Sequence, residues 1–348
     1  MHSKKILIIG PIPIVGIEST IGGSTVLMKS FVEYCKTNDI NYDFIQSNKY
    51  LGYFATIKRI GFIFIQIMLK IHSAQIIMLN ATLRPAFFLS PLLLIFSRVF
   101  KKKIVFRKFG GNFHLLYQNS PNWKKKIVKY GILNADLIFF ETIEMVTFFK
   151  KLVVDKNKVH WFPNVRKKTE VSKQSNNYQR RFVFISHVKR TKGIFEIRDA
   201  AKRLSDEYTI DVYGPITDKI ITKDVFSNCI VKYKGTLQPQ EVILTLAQYD
   251  ILLLPTYHPG EGYPGIIIEA LSLGIPVIST NWNAIPEIIE NGREGLLIEP
   301  QNSPELYKAI TSITNKNYFE FSKNAFVQFG NFEEKTVYEN VIKIMMEK

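Results

Sequence analysis

Short apolar runs recur along this chain, separated by segments whose apolar residues return every three or four positions. The runs Ile6–Ile9, Tyr42–Gln46, Ile76–Leu79, Ile104–Phe106, Leu137–Phe140 and Val159–Phe162 read as one set of strands. A second set follows at Phe182–Ile185, Thr209–Tyr213, Ile230–Tyr233, Ile251–Leu254, Val277–Thr280 and Leu296–Ile298. Runs without a polar alternate suit strands buried on both faces of a parallel sheet. Their alternation with helical segments predicts an α/β chain with two parallel sheets, each covered by helices. Residues 166–180, RKKTEVSKQSNNYQR, carry no apolar period and read as a linker between a domain over 1–165 and another over 181–330.

Length and composition agree with two domains: 348 residues exceed what one core usually organises, and 46% hydrophobic content suffices for two. Cys35 and Cys229 are the only cysteines, which leaves neither a disulfide framework nor a Cys-based metal site and fits a reducing cytoplasm. Lys4-Lys5 runs directly into Ile6–Gly10, too short an apolar core for a secretory signal, so none is expected. The longest apolar tract, 76–100, is broken by Asn80, Arg84, Arg98, Pro85 and Pro91. It falls short of the roughly 20 uninterrupted apolar residues of a membrane span.

Charge divides the chain. Residues 1–165 hold 23 Lys and Arg against 8 Asp and Glu, a net of +15, and residues 166–348 hold 23 against 22, a net of +1. Much of the excess lies in Lys101–Lys103, Arg107-Lys108, Lys124–Lys126 and Lys129, near Phe87, Phe88, Phe96, Phe100, Phe113 and Trp123. Basic residues mixed with aromatics predict a surface that docks on an anionic membrane. Nucleic acid would also attract such charge, but no zinc-finger spacing, RNA-binding signature or charged tail supports it.

The densest chemistry lies at 258–280, HPGEGYPGIIIEALSLGIPVIST. A buried strand ending at Pro255 leads into a loop with His258, Glu261 and Tyr263, and Pro264 suits the first position of a helix over 266–273. Gly265, Ile266 and Ile267 would then present backbone N–H groups to an anion, with the positive end of the helix dipole behind them. A diphosphate suits that position. Glu269, one turn in, can accept from a ribose diol, and Glu261 can reach a sugar hydroxyl. Continuing through Ala284-Ile-Pro-Glu-Ile-Ile-Glu-Asn-Gly-Arg-Glu-Gly-Leu-Leu297, this run resembles the donor-binding half of the retaining family-4 glycosyltransferases, with their E-x7-E signature. The resemblance is closest over about 182–300.

The resemblance implies a GT-B fold: two Rossmann-like domains with parallel sheets facing a central cleft, and a C-terminal helix within 331–348 packing back on the first domain. It also places other residues. Phe182–Gly193, a strand followed by a basic loop, is similar to the family's G-R-x-x-x-x-K-G segment, which assigns Lys192 to the departing diphosphate with Arg190 as helper. Ser186 and His187 stand where the family has Gly and Arg, leaving His187, Lys189 and Arg190 as candidates for a second cation. Ile21-Gly22-Gly23-Ser24 precedes a helical pattern that Ser24 can cap, and it resembles the family's glycine pair beside the diphosphate. Phe109–His114 is similar to a loop that in related enzymes carries acceptor-side or sugar-contacting residues, often a histidine, which makes Gly110, Gly111 and Asn112 candidates for the cleft and His114 a catalytic candidate. Val212-Tyr213-Gly214-Pro215 is similar to a turn bordering the nucleotide base.

The implied activity is transfer of a sugar, with retention, from a nucleoside-diphosphate sugar (UDP- or GDP-linked) to a glycan or polyprenyl-diphosphate-linked acceptor. The implied setting is bacterial capsule, O-antigen or exopolysaccharide synthesis at the inner face of the plasma membrane. No further cofactor is expected, and without an Asp-x-Asp motif or a His/carboxylate cluster no metal is. A nucleotide-sugar epimerase on the same fold, and a non-catalytic binding protein using the basic first domain, are the alternatives.

Overall fold

The computed structural model describes residues 4–14, 16, 22–48, 53–173, 177–227 and 229–347. The chain divides into two compact units, one formed by 1–164 with 335–348 and the other by 165–334.

The first unit holds β1 (Ile6–Gly10), α1 (Gly23–Thr37), β2 (Tyr42–Gln46), α2 (Tyr53–Ile71), β3 (Ile76–Ala81), α3 (Leu83–Val99) and β4 (Lys103–Lys108). It continues with α4 (Phe113–Gln118), α5 (Asn122–Tyr130), β5 (Leu137–Phe140), α6 (Ile143–Lys150) and β6 (Val159–Trp161). Its strands pair in parallel in the order β2-β1-β3-β4-β5-β6. Ile6–Ile9, Ile76–Leu79 and Leu137–Phe140 are buried throughout, as strands covered on both faces must be.

The second unit holds β7 (Arg181–Ile185), α7 (Ile194–Ala201), β8 (Thr209–Tyr213), β9 (Val231–Gly235), α8 (Val242–Leu246), β10 (Ile251–Leu254) and α9 (Gly265–Ser272). Then come β11 (Val277–Thr280), β12 (Gly295–Ile298), α10 (Ser303–Thr311) and α11 (Asn315–Phe329). The sheet order is β12-β11-β10-β7-β8-β9, all parallel. Successive strands build outward from β7 to β9 and then, from β10, outward the other way, so β7 and β10 flank the point where the order reverses. Ligands of open α/β sheets bind beyond the carboxyl ends of such a pair.

The last helix, α12 (Glu334–Glu347), lies almost wholly in the first unit. Tyr338 packs edge-on against Phe31, Tyr34 and Phe162, with centroids at 5.0, 5.1 and 5.9 Å. Lys4 donates to Met346 O and Lys103 to Met345 O, so cations meet the carbonyls that a helix C-terminus leaves unpaired.

Several expectations need correction. Within the stretch expected as a linker, Arg166 and Lys173 are held by polar groups of the second unit. Arg166 N donates to Phe332 O at 3.0 Å, and Lys173 Nζ reaches Gly274 O, Tyr318 OH and Ser322 Oγ at 3.1, 3.1 and 2.8 Å. Arg107 and Lys108 are not surface charges: both are buried on β4, and the Arg107 guanidinium lies 3.3 Å from the Phe162 ring centre. Burial pulls them down to about 10 and about 8, with Glu141 opposing in both cases. Phe113 is core, stacked on Phe140 and Phe149, and Phe96 and Phe100 are partly buried against the same cluster. Trp123 is 60% exposed. The side chains of Phe87 and Phe88 lie outside those described.

Candidate functional site

At the carboxyl ends of β7 and β10 two loops meet. The β7 loop passes through Ser186–Lys189 into a single 3-10 turn, Arg190–Lys192, and reaches α7 through Gly193. Gly193 has φ +81°, and a Cβ there would lie 2.2 Å from Pro255 O. Only glycine serves both the left-handed backbone and the close approach. The loops are tied further by Tyr257 N donating to Thr191 O at 2.8 Å, with Thr256 Oγ1 lying 3.2 Å from the same carbonyl. Thr280 Oγ1 donates to Thr256 O, and Ser279 Oγ to Leu254 O at 2.6 Å, which fixes the start of the β10 loop from β11.

This stitching brings Lys192 and Glu261 together. Lys192 Nζ donates to Glu261 Oε2, and Thr256 Oγ1 donates to the same oxygen at 2.8 Å. Both side chains are about one-tenth exposed, at 11% and 9%. Buried polar and charged groups are costly unless hydrogen-bonded, and both partners here satisfy one carboxylate oxygen. Lys189 Nζ and Thr191 Oγ1 each lie 3.4 Å from His258 Nδ1. Burial lowers the pKa of His187 and of His258, and Lys189 and Lys192 push both lower still; Glu261 partly opposes this at His258. Burial, then Lys192, lowers Lys189, against Glu261 and Asp218. The Arg190 backbone N–H donates to Asp218 Oδ2 at 3.2 Å, and its guanidinium lies 5.4 Å from the Phe195 ring centre. Of the candidates for a second cation, Lys189 and His187 therefore share the electrostatic neighbourhood of Lys192.

The rest of the β10 loop is held from β11 outward. Trp282 Nε1 donates to His258 O at 2.9 Å, and Asn283 Nδ2 reaches Pro259 O and Glu261 O, both at 3.3 Å. Tyr263 is buried; its hydroxyl donates to Glu287 and its ring meets Phe332 edge-on, which holds the loop in place. Pro264 takes the cap position of α9 with extended backbone, one place earlier than expected, and Gly265 is the first helical residue. Ile267 N donates to Pro264 O at 3.1 Å, which removes it from the amides offered to a ligand and leaves Gly265 and Ile266 in that role.

Glu269, one turn along α9, is joined by a residue that sequence reasoning missed. Arg166 Nε donates to Glu269 Oε1 at 2.5 Å. The same guanidinium lies over the start of α9, where a Cβ on Gly265 would come within 1.6 Å of Nη2. Gly214, φ +135°, is also a packing glycine, since a Cβ would lie 1.8 Å from Ser186 O.

The remaining candidates belong to the first unit. Gly22 caps α1, and its N–H donates to Thr25 Oγ1 at 2.9 Å, so Thr25 does the capping work expected of Ser24. A Cβ at Gly22 or Gly23 would meet no described atom within 4 Å. Gly110, φ +95°, donates its N–H to Glu141 Oε2 at 2.9 Å, and Asn112 caps α4. His114 is buried with Nε2 3.1 Å from Glu144 Oε1 and its ring 6.0 Å from that of Phe148. Among the described residues, no three His, Cys, Asp or Glu side chains gather in a metal-binding arrangement.

Residues 179–316 match the family model described as glycosyl transferases group 1. The chain is 31% identical over 135 residues to the putative teichuronic acid biosynthesis glycosyltransferase TuaC of Bacillus subtilis, covering 38% of this chain and 32% of that protein. It is 30% identical over 142 residues to the amylovoran biosynthesis glycosyltransferase AmsK of Erwinia amylovora, covering 37% and 34%. The chain thus spans about a third of the length of the curated relatives it matches. Over 98% of this chain and 99% of the other, it resembles the crystal structure of Anabaena Alr3699/HepE in complex with UDP and glucose, with TM-score 0.70 and 16% identity. That likeness shows the fold, the two parallel α/β sheets of GT-B proteins.

Proposed function

We propose that this chain, whose residues 179–316 belong to the glycosyl transferases group 1 family, is a retaining glycosyltransferase. It takes a sugar from a nucleoside-diphosphate sugar and passes it to a glycan or lipid-linked acceptor in bacterial surface polysaccharide synthesis. The observation that carries this reading is the contact of Lys192 with Glu261 at the β7/β10 switch point, beside the α9 terminus and Glu269.

A departing diphosphate needs positive charge and N–H donors. Lys192 supplies charge, Lys189 and His187 stand close to it, and the Gly265 and Ile266 amides offer donors at a helix N-terminus. Glu269 accepts from the ribose diol and Glu261 orients the sugar. The anomeric carbon–phosphate oxygen bond breaks as the acceptor oxygen bonds to the same face of that carbon, and the acceptor proton passes to a phosphate oxygen. No protein nucleophile is required.

UDP is the first nucleotide to test, because the Anabaena protein was solved with it. The acceptor side is assigned to the first unit, through Gly22, Gly23 and the Gly110–His114 loop. Its basic composition supports a lipid-linked acceptor at the cytoplasmic face of the plasma membrane. The deciding experiment is calorimetric titration with UDP-, GDP-, ADP- and CDP-sugars, without added metal, beside Glu269→Ala. Saturable binding of one donor that the variant loses supports the reading, whereas no binding across the panel rejects it. Donor turnover without acceptor, giving an isomeric nucleotide sugar, would favour an epimerase.

A further inference from the structure

Between Asp43 and Asp136 the chain has 92 residues, 44–135, with no Asp or Glu and with fifteen Lys and Arg, of which Arg107 and Lys108 are buried. Helices α2, α3 and α5 all fall in this stretch. A surface helix ordinarily buries an apolar stripe and turns a polar face outward. These helices depart from that pattern. α2 buries Ile63, Ile67 and Ile71 in the core yet leaves Ile65 and Leu69 58% and 76% exposed. α3 buries Leu93 and Leu94 yet leaves Ile95 and Val99 59% and 68% exposed.

The two helices touch through partly buried rings. Phe64 on α2 meets Phe96 on α3 edge-on at 5.1 Å. Near their ends, the His72 ring lies 5.0 Å from Phe100, and Lys102 Nζ donates to His72 O at 3.0 Å. α5 abuts α3 at Gly131, where a Cβ would come within 2.6 Å of Ser90 Oγ. It exposes Trp123 and Tyr130, at 60% and 65%, with Lys126 and Lys129 also exposed. Lys101 adds an exposed cation at the end of α3.

We propose that the outer faces of α2, α3 and α5 form a bilayer-docking surface, with Ile65, Leu69, Ile95 and Val99 entering the headgroup–acyl boundary and the surrounding lysines meeting anionic lipid headgroups. Exposed aliphatic side chains on two touching helices give the surface an apolar component that nucleic acid cannot match, since phosphates and sugars offer no apolar phase to Ile, Leu and Val. The absence of acidic residues over so long a stretch suits a uniformly anionic plane, where each Lys or Arg near the surface adds to binding. No helix among the described residues is long and apolar enough to cross a membrane, so the contact lies along the interface. The inference deepens the lipid-linked acceptor reading but stands on the first unit alone, and donor binding can be read separately in the same variants.

The test is flotation of the full chain with phosphatidylcholine vesicles, with and without phosphatidylglycerol. The expected result is binding to the anionic vesicles that weakens as salt rises. Leu69→Ser with Val99→Ser should weaken binding at least about tenfold, because their aliphatic area no longer enters the bilayer. Lys126→Glu with Lys129→Glu should also weaken it, while Phe319→Ser, at a 65% exposed position of the second unit, should leave it unchanged. Unchanged thermal melting and nucleotide-sugar binding keep a folding defect apart from a docking defect. Parent-like flotation of both double variants would overturn the proposal. So would binding of nucleic acid but not vesicles, or concentration-dependent dimerisation lost in the Leu69/Val99 variant without any vesicle binding.

Discussion

Arg166 Nε donates to Glu269 Oε1 at 2.5 Å, and its guanidinium covers the first residue of the helix that carries Glu269. The two residues are 103 positions apart. The contact fixes the rotamer of the carboxylate proposed to receive the ribose diol. Arg166→Ala should therefore weaken nucleotide-sugar binding roughly tenfold, in line with one charge-assisted hydrogen bond. It should also erase much of the preference for a ribose over a 2′-deoxyribose donor, with Arg166→Lys restoring part of it. Equal loss for both donors would show that Arg166 acts on something other than Glu269.

Gly265 tests the same arrangement from the other side. A methyl group there would occupy the place of the guanidinium, 1.6 Å from Nη2, so Gly265→Ala should expel Arg166 and reproduce its loss of ribose discrimination. Combined with Arg166→Ala it should add little, because neighbouring changes that break one interaction are not additive. Independent, additive losses measured by calorimetry would refute the coupling.

Lys192 and Glu261 make a different prediction, because both are buried. Removing one partner of a buried ion pair strands the other, at a typical cost of about 3–5 kcal/mol. Lys192→Ala should lower the unfolding midpoint and abolish donor binding together. Lys192→Met with Glu261→Gln leaves no buried charge and should recover most of the stability. It should not recover donor binding, since the diphosphate still lacks its cation. Recovery of both in urea titration and calorimetry would mean the pair is a structural device alone.

The inner strands were legible because a parallel sheet buried on both faces leaves uninterrupted apolar runs, such as Ile251–Leu254 and Val277–Thr280, that few other structures require. Lys192 and Glu261 were legible because each ends a strand–loop pattern with its own glycines. Arg166 was not. It stands at the head of a polar stretch with no apolar period, and nothing local reveals a partner 103 residues on. The partners of Tyr263 were hidden for a related reason: Glu287 and Phe332, which hold its hydroxyl and its ring, are both distant in sequence. Arg107 and Lys108 looked like surface charge because a basic dipeptide at a strand end carries no mark of burial. Periodicity reports local environment, whereas these side chains are defined by long-range packing.

His187 and His258 supply a pH signature. Burial first, then Lys189 and Lys192, holds both imidazoles below their ordinary value, so both are neutral at pH 7.5. The unfolded chain takes up these protons near pH 6.5 while the folded chain resists, so the stability they allow is full above about pH 6.5 and is lost as pH falls through the lowered folded values. A diphosphate beside the two rings reverses the balance, because its charge favours the imidazolium. Binding of a nucleotide sugar, whose diphosphate has no group titrating near neutrality, should take up protons and tighten as pH falls from about 7.5 towards 6. Calorimetry in buffers of different ionisation enthalpy reads that uptake directly. It should shrink in His187→Gln and in His258→Gln, and nearly vanish in the double variant. Proton-neutral binding by the parent would place the diphosphate away from both rings.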